Sequence, residues 1–279
     1  MKHSAIPGSA ARKGIPRSVV PAFAHIEHAS AASASLAFAW RALLRIKHLP
    51  EQMLDVIAIP IVFTLMFTYL FGGAIAGSTG TYLQFIFPGA LVMAVVLPTM
   101  YAGIGLNTDV GKGVFERFRS LPIWQPAPVV GALIGEAGRY LIAATLVTAL
   151  GLAMGFKPAG GAGGMLSGVA LILLFALSLS WAWTALALLV RTPAAVMSVA
   201  TIVVFPLTLA SNTFVQPQTL PAWLRAFVRV NPISHLVTAE RGLMHGTATG
   251  WQIVWVLIAC AALTILFAPL TMRLYARER

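Results

Sequence analysis

Residues 82–106 read YLQFIFPGALVMAVVLPTMYAGIGL, 25 positions without one Asp, Glu, Lys, Arg or His. A half-buried strand would alternate apolar and polar residues with a period of two, and this run does not alternate. A helix needs about 20 such residues to cross the roughly 30 Å of hydrocarbon in a bilayer. Pro88 and Pro98 would break a water-exposed helix. Inside a membrane they are tolerated, because neighbouring helices re-satisfy the freed backbone groups. The stretch therefore reads as a transmembrane helix, and the rest of the chain follows from it.

Five further runs have the same character: 53–73, 129–155, 165–190, 194–214 and 251–272. Of the 279 residues, 58% are hydrophobic and only 10% charged, where a soluble domain carries about 25% charge. A lipid-facing barrel would need short alternating segments, so the runs predict six helices and an all-α integral membrane protein. Pro60, Pro88, Pro98 and Pro206 are expected to kink their spans, and Gly131, Gly135 and Gly138 form a small face on the third span suited to close helix contact. The single cysteine, Cys260, lies in an apolar run and can form no internal disulfide.

The net charge of +11 would suggest nucleic acid in a soluble protein. Here its distribution sets topology, and no nucleic-acid partner is expected. Seven basic residues precede the first span (Lys2, Arg12, Lys13, Arg17, Arg41, Arg45, Lys47), three lie in the second loop (Lys112, Arg117, Arg119), one in the fourth (Arg191) and three in the C-terminal tail (Arg273, Arg277, Arg279). The other side has Lys157, Arg225, Arg229 and Arg241. The excess places both termini in the cytoplasm, as six crossings require.

Outside the spans, residues 1–35 are rich in Ala, Ser, Pro and Gly and lack the apolar core of a signal peptide, so they read as a mobile cytoplasmic tail. Residues 36–49, LAFAWRALLRIKHL, place Leu36, Trp40, Leu43 and Leu44 at helical spacing beside Arg41, Arg45 and Lys47, the pattern of an amphipathic helix in the membrane interface. The loop after the second span, NTDVGKGVFERFRSLPIW, carries a short amphipathic helix with Val114, Phe118 and Leu121 on one face and Lys112, Glu116 and Arg119 on another. The stretch 215–250 is too polar to span. Its Trp223, Leu224, Phe227 and Val228 predict short helices dipping toward the membrane.

Enzyme machinery is not legible. Gly111-Lys112-Gly113 fails the phosphate-loop pattern, because Leu106 and Gly113 stand where Gly and Ser or Thr are required. The six His are scattered, none at metal-ligand spacing. An ion-coupled carrier would hold acidic or His residues deep in the membrane. Here Asp55 lies near a boundary, and Glu136 and Arg139, three apart, can neutralise each other on one helix face.

A family resemblance adds to this. FPGALVMAVVLPTMYAGIGLNTDVGKGVFERFRSLPI resembles the signature region of the ABC-2 type permeases, the family of the daunorubicin-resistance and nodulation-exporter permeases, through Pro88-Gly89, Asp109, Gly113, Glu116-Arg117, Arg119 and Leu121-Pro122. NPISHLVTAERGLMHG is similar to the family's stretch before the last span, through Asn231-Pro232, Arg241-Gly242 and Gly246. Lys112 departs from the pattern, which has an acidic or neutral residue there. The resemblance covers about residues 36–275.

It implies a type V ABC exporter fold, residues 36–279 being the transmembrane domain, in a bacterial inner or cytoplasmic membrane. Two permease copies or paralogues would pair, two ATP-binding cassette ATPase subunits would dock below, and ATP and Mg would be bound by those subunits and not by this chain. Asp109, Gly113, Phe115, Glu116, Arg117, Phe118, Arg119 and Pro122 would belong to the coupling helix. Trp40, Arg41 and Arg45 would belong to the interfacial helix, and Trp223, Phe227, Asn231, Pro232 and Arg241 to re-entrant helices capping the exit. The substrate would be a hydrophobic or amphiphilic drug, lipid or lipid-linked glycan. A secondary carrier or channel without an ATPase, and a membrane scaffold, are the rival readings.

Overall fold

The structure, a computed structural model, describes residues 30–48, 50–112, 124–214 and 217–277, with the backbone alone at 45–48, 50–57, 75 and 217. Its elements are helices throughout, and no strand occurs among the described residues. In chain order they are α1 (Ala31–His48), α2 (Pro50–Met66), a π turn (Phe67–Phe71), α3 (Gly72–Ala76), α4 (Thr79–Val96), a 3-10 turn (Leu97–Tyr101), α5 (Ala102–Gly111), α6 (Ala127–Ala153), α7 (Gly161–Leu189), α8 (Pro193–Leu209), α9 (Ala222–Val230), α10 (Pro232–His245) and α11 (Gly250–Arg277). Residues 31–35, read from sequence as part of the tail, are the first turn of α1.

Thr79–Gly111 is one continuous helical rod, loosened to 3-10 geometry where Pro98 removes a donor. Its 33 residues extend about 50 Å at 1.5 Å per residue, longer than the hydrocarbon, so an end of it leaves the membrane. It is the most buried helix of the bundle and carries the core: Leu91, Val92, Ala94, Val95 and Val96 are closed off by Ile172 and Phe175 of α7 and by Leu236 and Val237 of α10. A smaller cluster joins Leu106, Val129, Leu133, Leu188 and Tyr275 where α5, α6, α7 and α11 meet.

Four helices are long and apolar enough to cross a membrane: Thr79–Gly111, Ala127–Ala153, Gly161–Leu189 and Gly250–Arg277. They are the second, third, fourth and sixth spans of the sequence reading. The first is helical over 50–76 but interrupted by the π turn, and Pro60 lies inside α2. The fifth, α8, has 17 residues, about 26 Å of helix.

Helix starts and stops follow local chemistry. Ser78 caps α4, its hydroxyl accepting from the Thr81 N–H at 3.1 Å, and Thr192 caps α8 by accepting from Ala195. Gly77 and Gly246 end α3 and α10 in the left-handed conformation, φ 72° and 71°. Close packing uses small residues. A Cβ at Gly103 would lie 2.4 Å from the Trp183 carbonyl oxygen, so α5 and α7 touch through backbone. Asn107, one turn on, donates to the carbonyls of Ala187 (2.7 Å) and Val190 (2.6 Å) and caps the C-terminus of α7.

Candidate functional site

The Gly131, Gly135 and Gly138 face of α6 is occupied by α1. A Cβ at Gly131 would meet Phe38, one at Gly135 would meet Ala42 and one at Gly138 would meet Leu43. Successive glycines meet successively later residues, so α1 runs parallel to the first half of α6. Ala34, Ser35 and Ala39 are buried on the inner side of α1, whereas Leu36, Trp40 and Leu44 project outward, exposed. This is an amphipathic helix with its small-residue face on protein and its large apolar side chains turned outward.

From that helix Arg41 reaches Asp109 at the end of α5, with Nη2 3.4 and 3.3 Å from Oδ1 and Oδ2. The pair ties α1 to the end of α5. Gly113, Phe115, Glu116, Arg117, Phe118, Arg119 and Pro122, expected from the sequence to form a coupling helix, lie outside the described residues, as does the Arg45 side chain. Deeper in the bundle, Glu136 and Arg139 form the expected ion pair on α6, and Arg139 also lies over the Tyr101 ring, 5.5 Å from its centroid.

The stretch 217–245 is a helix–turn–helix. On α9, Trp223, Phe227 and Val230 are exposed along one stripe while Val228 is buried. Arg225 donates to the carbonyls of Gln218 and Leu220 and anchors the entry to α9. Asn231 serves two helices: its side-chain oxygen accepts from the Ile233 N–H at 2.9 Å, capping α10, and its amide donates to the carbonyls of Leu207 (2.7 Å) and Ala210 (3.3 Å), closing the end of α8. Pro232 follows at the first helical position, where a missing donor costs nothing.

Helix α10 is bolted to α4 by two side chains. Arg241 donates from Nε to the Phe85 carbonyl (3.2 Å) and from Nη2 to the Asn212 carbonyl (3.0 Å), with its guanidinium 4.2 Å from the Phe85 ring centroid. His245 donates from Nε2 to the Gln84 carbonyl (3.0 Å). In a regular helix that carbonyl would accept from residue 88, but Pro88 has no N–H. The Pro88 interruption thus supplies the acceptor for a side chain of α10, 161 residues later.

Beside Arg241, Glu240 points the other way. It is fully buried, and neither carboxyl oxygen has a hydrogen-bond partner. The carboxyl lies directly against Gly168 of α7, where a Cβ would be 2.3 Å from Oε1 and 2.7 Å from Oε2. Burial pushes its pKa up to about 8. Sequence reading missed this residue. A Glu next to an Arg in a polar-looking stretch reads as solvated, and only its helical spacing to Leu236, Val237 and Met244, all apolar, marks the face as inward.

A shallow apolar cleft lies between α2 and α4, walled by Ile59, Pro60, Phe63, Ile86, Met93 and Phe214. Among the described residues no cluster of three or more His, Cys, Asp or Glu could hold a metal. Arg41, Asp109 and Arg241 tie helices together.

A family model, ABC-2 type transporter, matches residues 34–245. The chain is 48% identical over 262 residues to the daunorubicin resistance ABC transporter permease protein DrrB1 of Streptomyces coeruleorubidus, covering 94% of this chain and 93% of that one. It is 27% identical over 226 residues to the doxorubicin resistance ABC transporter permease protein DrrB of Mycobacterium tuberculosis, covering 78% of each. It is 20% identical over 219 residues to the probable doxorubicin resistance permease protein DrrC of the same organism, covering 77% and 78%.

Proposed function

Because the chain belongs to the ABC-2 type transporter family and is a multi-pass membrane protein, we propose that it is the permease half of an ATP-driven exporter whose cargo is an amphiphilic, aromatic drug of the anthracycline kind. The observation that carries the reading is the likeness along nearly the whole chain to a daunorubicin resistance permease. The apolar cleft walled by Phe63, Phe214 and aliphatic side chains marks where the rings of such a cargo would begin to meet the bundle once the helices part.

In this reading α2–α3 and α8 complete six crossings, both termini face the cytoplasm, and two permease copies or paralogues enclose the passage. ATP and Mg belong to a separate ATPase subunit, which docks on the segment around Glu116–Arg119. Closure of the ATPases pushes that segment. Its movement reaches α1 through the Arg41–Asp109 pair and the bundle through Asn107, which grips the end of α7. A driven change of this kind works only through contacts that differ between the inward- and outward-facing packings.

The test is reconstitution. The chain is purified with the ATPase that accompanies it, placed in proteoliposomes and supplied with doxorubicin and Mg-ATP. ATP-dependent drug movement and drug-stimulated hydrolysis are expected, both lost in a Glu116→Ala, Arg119→Ala double variant. Drug movement driven by an ion gradient without an ATPase would replace this reading with a secondary carrier.

A further inference from the structure

A buried carboxyl without a partner is costly when ionised, because nothing replaces the water it has lost. Glu240 is in that position at the seam between α10 and α7. No cation on a neighbouring described element faces it. Helix α7 carries no ionisable side chain over Gly161–Leu189, and α8 carries none over Pro193–Leu209. On α11 the outer half offers only Cys260. On α4 the Tyr82 hydroxyl donates to the Phe214 carbonyl. On α9, Arg225 is held by the Gln218 and Leu220 carbonyls, and Arg229 is exposed. On α10 itself Arg241 and His245 are committed to α4, and His235 to the Arg229 carbonyl and the Trp255 ring. Lys157, in the loop before α7, is exposed. Only Gly at 168 leaves room for the carboxyl, so the seam is shaped around this side chain.

We propose that Glu240 is a proton-operated latch on the external helix: protonated, it lets α10 seat on Gly168, and ionised, it favours a separated seam in which water reaches the carboxylate. The inference rests on the proposed placement of α10 on the external face. The only bond that changes is the carboxyl O–H, whose proton passes to external water when the seam opens. The sign follows from the raised value in the closed seam. The closed form binds the proton more tightly than the open form, so acid favours closure. That bias is complete below the ordinary carboxylate range and is lost as pH rises toward about 8. An acidic exterior would hold the exit shut and a neutral or alkaline one would free it.

The experiment places spin labels at Ala162 and Thr247, both exposed and on opposite sides of the seam, in a Cys260→Ala chain reconstituted with its ATPase. Between about pH 5 and about pH 9, the inter-label distance is expected to lengthen in the otherwise native chain. In Glu240→Gln, which mimics the protonated form, it is expected to stay short. Drug transport in the same liposomes should rise severalfold with external pH in the native chain and be flat in the variant. His245 is present in both, so the difference between them isolates Glu240. In an infrared difference spectrum at neutral pH, a protonated carboxyl band should be present and absent from Glu240→Gln. A distance that does not titrate, that titrates equally in the variant, or a carboxyl already ionised at neutral pH overturns the latch. A titrating distance without ATP-driven transport keeps the latch and removes the exporter reading.

Discussion

His245 of α10 donates to the carbonyl of Gln84 in α4, the group that Pro88 cannot pair within its own helix. Gln84 is bound from a second direction, since its side chain donates to the Gly155 carbonyl and accepts from the Lys157 N–H. One residue thus holds α10, the end of α6 and the loop beyond it in register. If the Pro88 defect creates the need for His245, the two are energetically coupled. His245→Ala should cost about 1 kcal/mol through a partly buried carbonyl left unpaired. In a Pro88→Ala background, where a backbone N–H at position 88 can again donate to the Gln84 carbonyl, the same change should cost less. Thermal unfolding of the four chains in detergent gives the coupling directly, and strict additivity would show that Gln84 is satisfied some other way.

The Arg41–Asp109 pair is partly exposed, so it should contribute only about 0–1 kcal/mol to stability. Its expected effect is on coupling. Arg41→Asp should leave expression and melting temperature nearly unchanged while lowering drug-stimulated ATP hydrolysis, and the charge swap Arg41→Asp, Asp109→Arg should restore part of it. Equal activity in the single variant would separate α1 from the drive train.

Gly131 can accept no side chain without moving α1, because a Cβ there would sit 2.4 Å from Phe38 Cβ and 2.6 Å from the Ser35 carbonyl. Gly131→Val should therefore displace α1 from α6, at about 1–3 kcal/mol of overpacking. A cysteine at Ser35, buried in the native chain, would become reactive to a thiol reagent. Continued protection of that position would show that α1 adjusts in place.

The split of basic residues predicts an orientation that labelling can read. In a Cys260→Ala chain, Ser78→Cys, at the exposed start of α4, should react with an impermeant thiol reagent in intact cells. Ser120→Cys should react only after permeabilisation. Reversed labelling would turn the assignment of α9 and α10 to the outside upside down.

Trp223 and Phe227 are exposed on the stripe of α9 that faces away from Val228. A short helix with this stripe belongs at the membrane surface. A spin label at Phe227 should be relaxed by oxygen and shielded from a water-soluble nickel chelate, whereas one at Arg229 should show the opposite. Equal access of the chelate to both would mean that α9 stands in water.

How much of this was legible before folding varied with the range of the interaction. The long apolar runs, their helical character, the prolines inside them and the amphipathic character of α1 and α9 are properties of neighbouring residues and of transfer from water. The ion pair on α6 was readable for the same reason, since Glu136 and Arg139 are three positions apart on one helix. The glycine face of α6 was visible as a surface for close packing, but its occupant, α1, was not. Asn107, His245 and Gln84 looked like ordinary polar residues near helix ends, because the carbonyls they satisfy lie some 70 to 160 positions away in the chain.

That this chain enters a membrane as apolar helices follows from the order of residues alone, because hydrophobicity and helical periodicity are written in adjacent positions. Packing between distant helices was needed to settle which backbone groups the prolines leave for other helices to satisfy, and that Glu240 turns inward onto Gly168 while Arg241 turns toward α4. Two adjacent residues on a helix project about 100° apart. Which of them meets an apolar wall and which a free carbonyl depends on what is packed on each side, and that is decided when elements far apart in the chain come together.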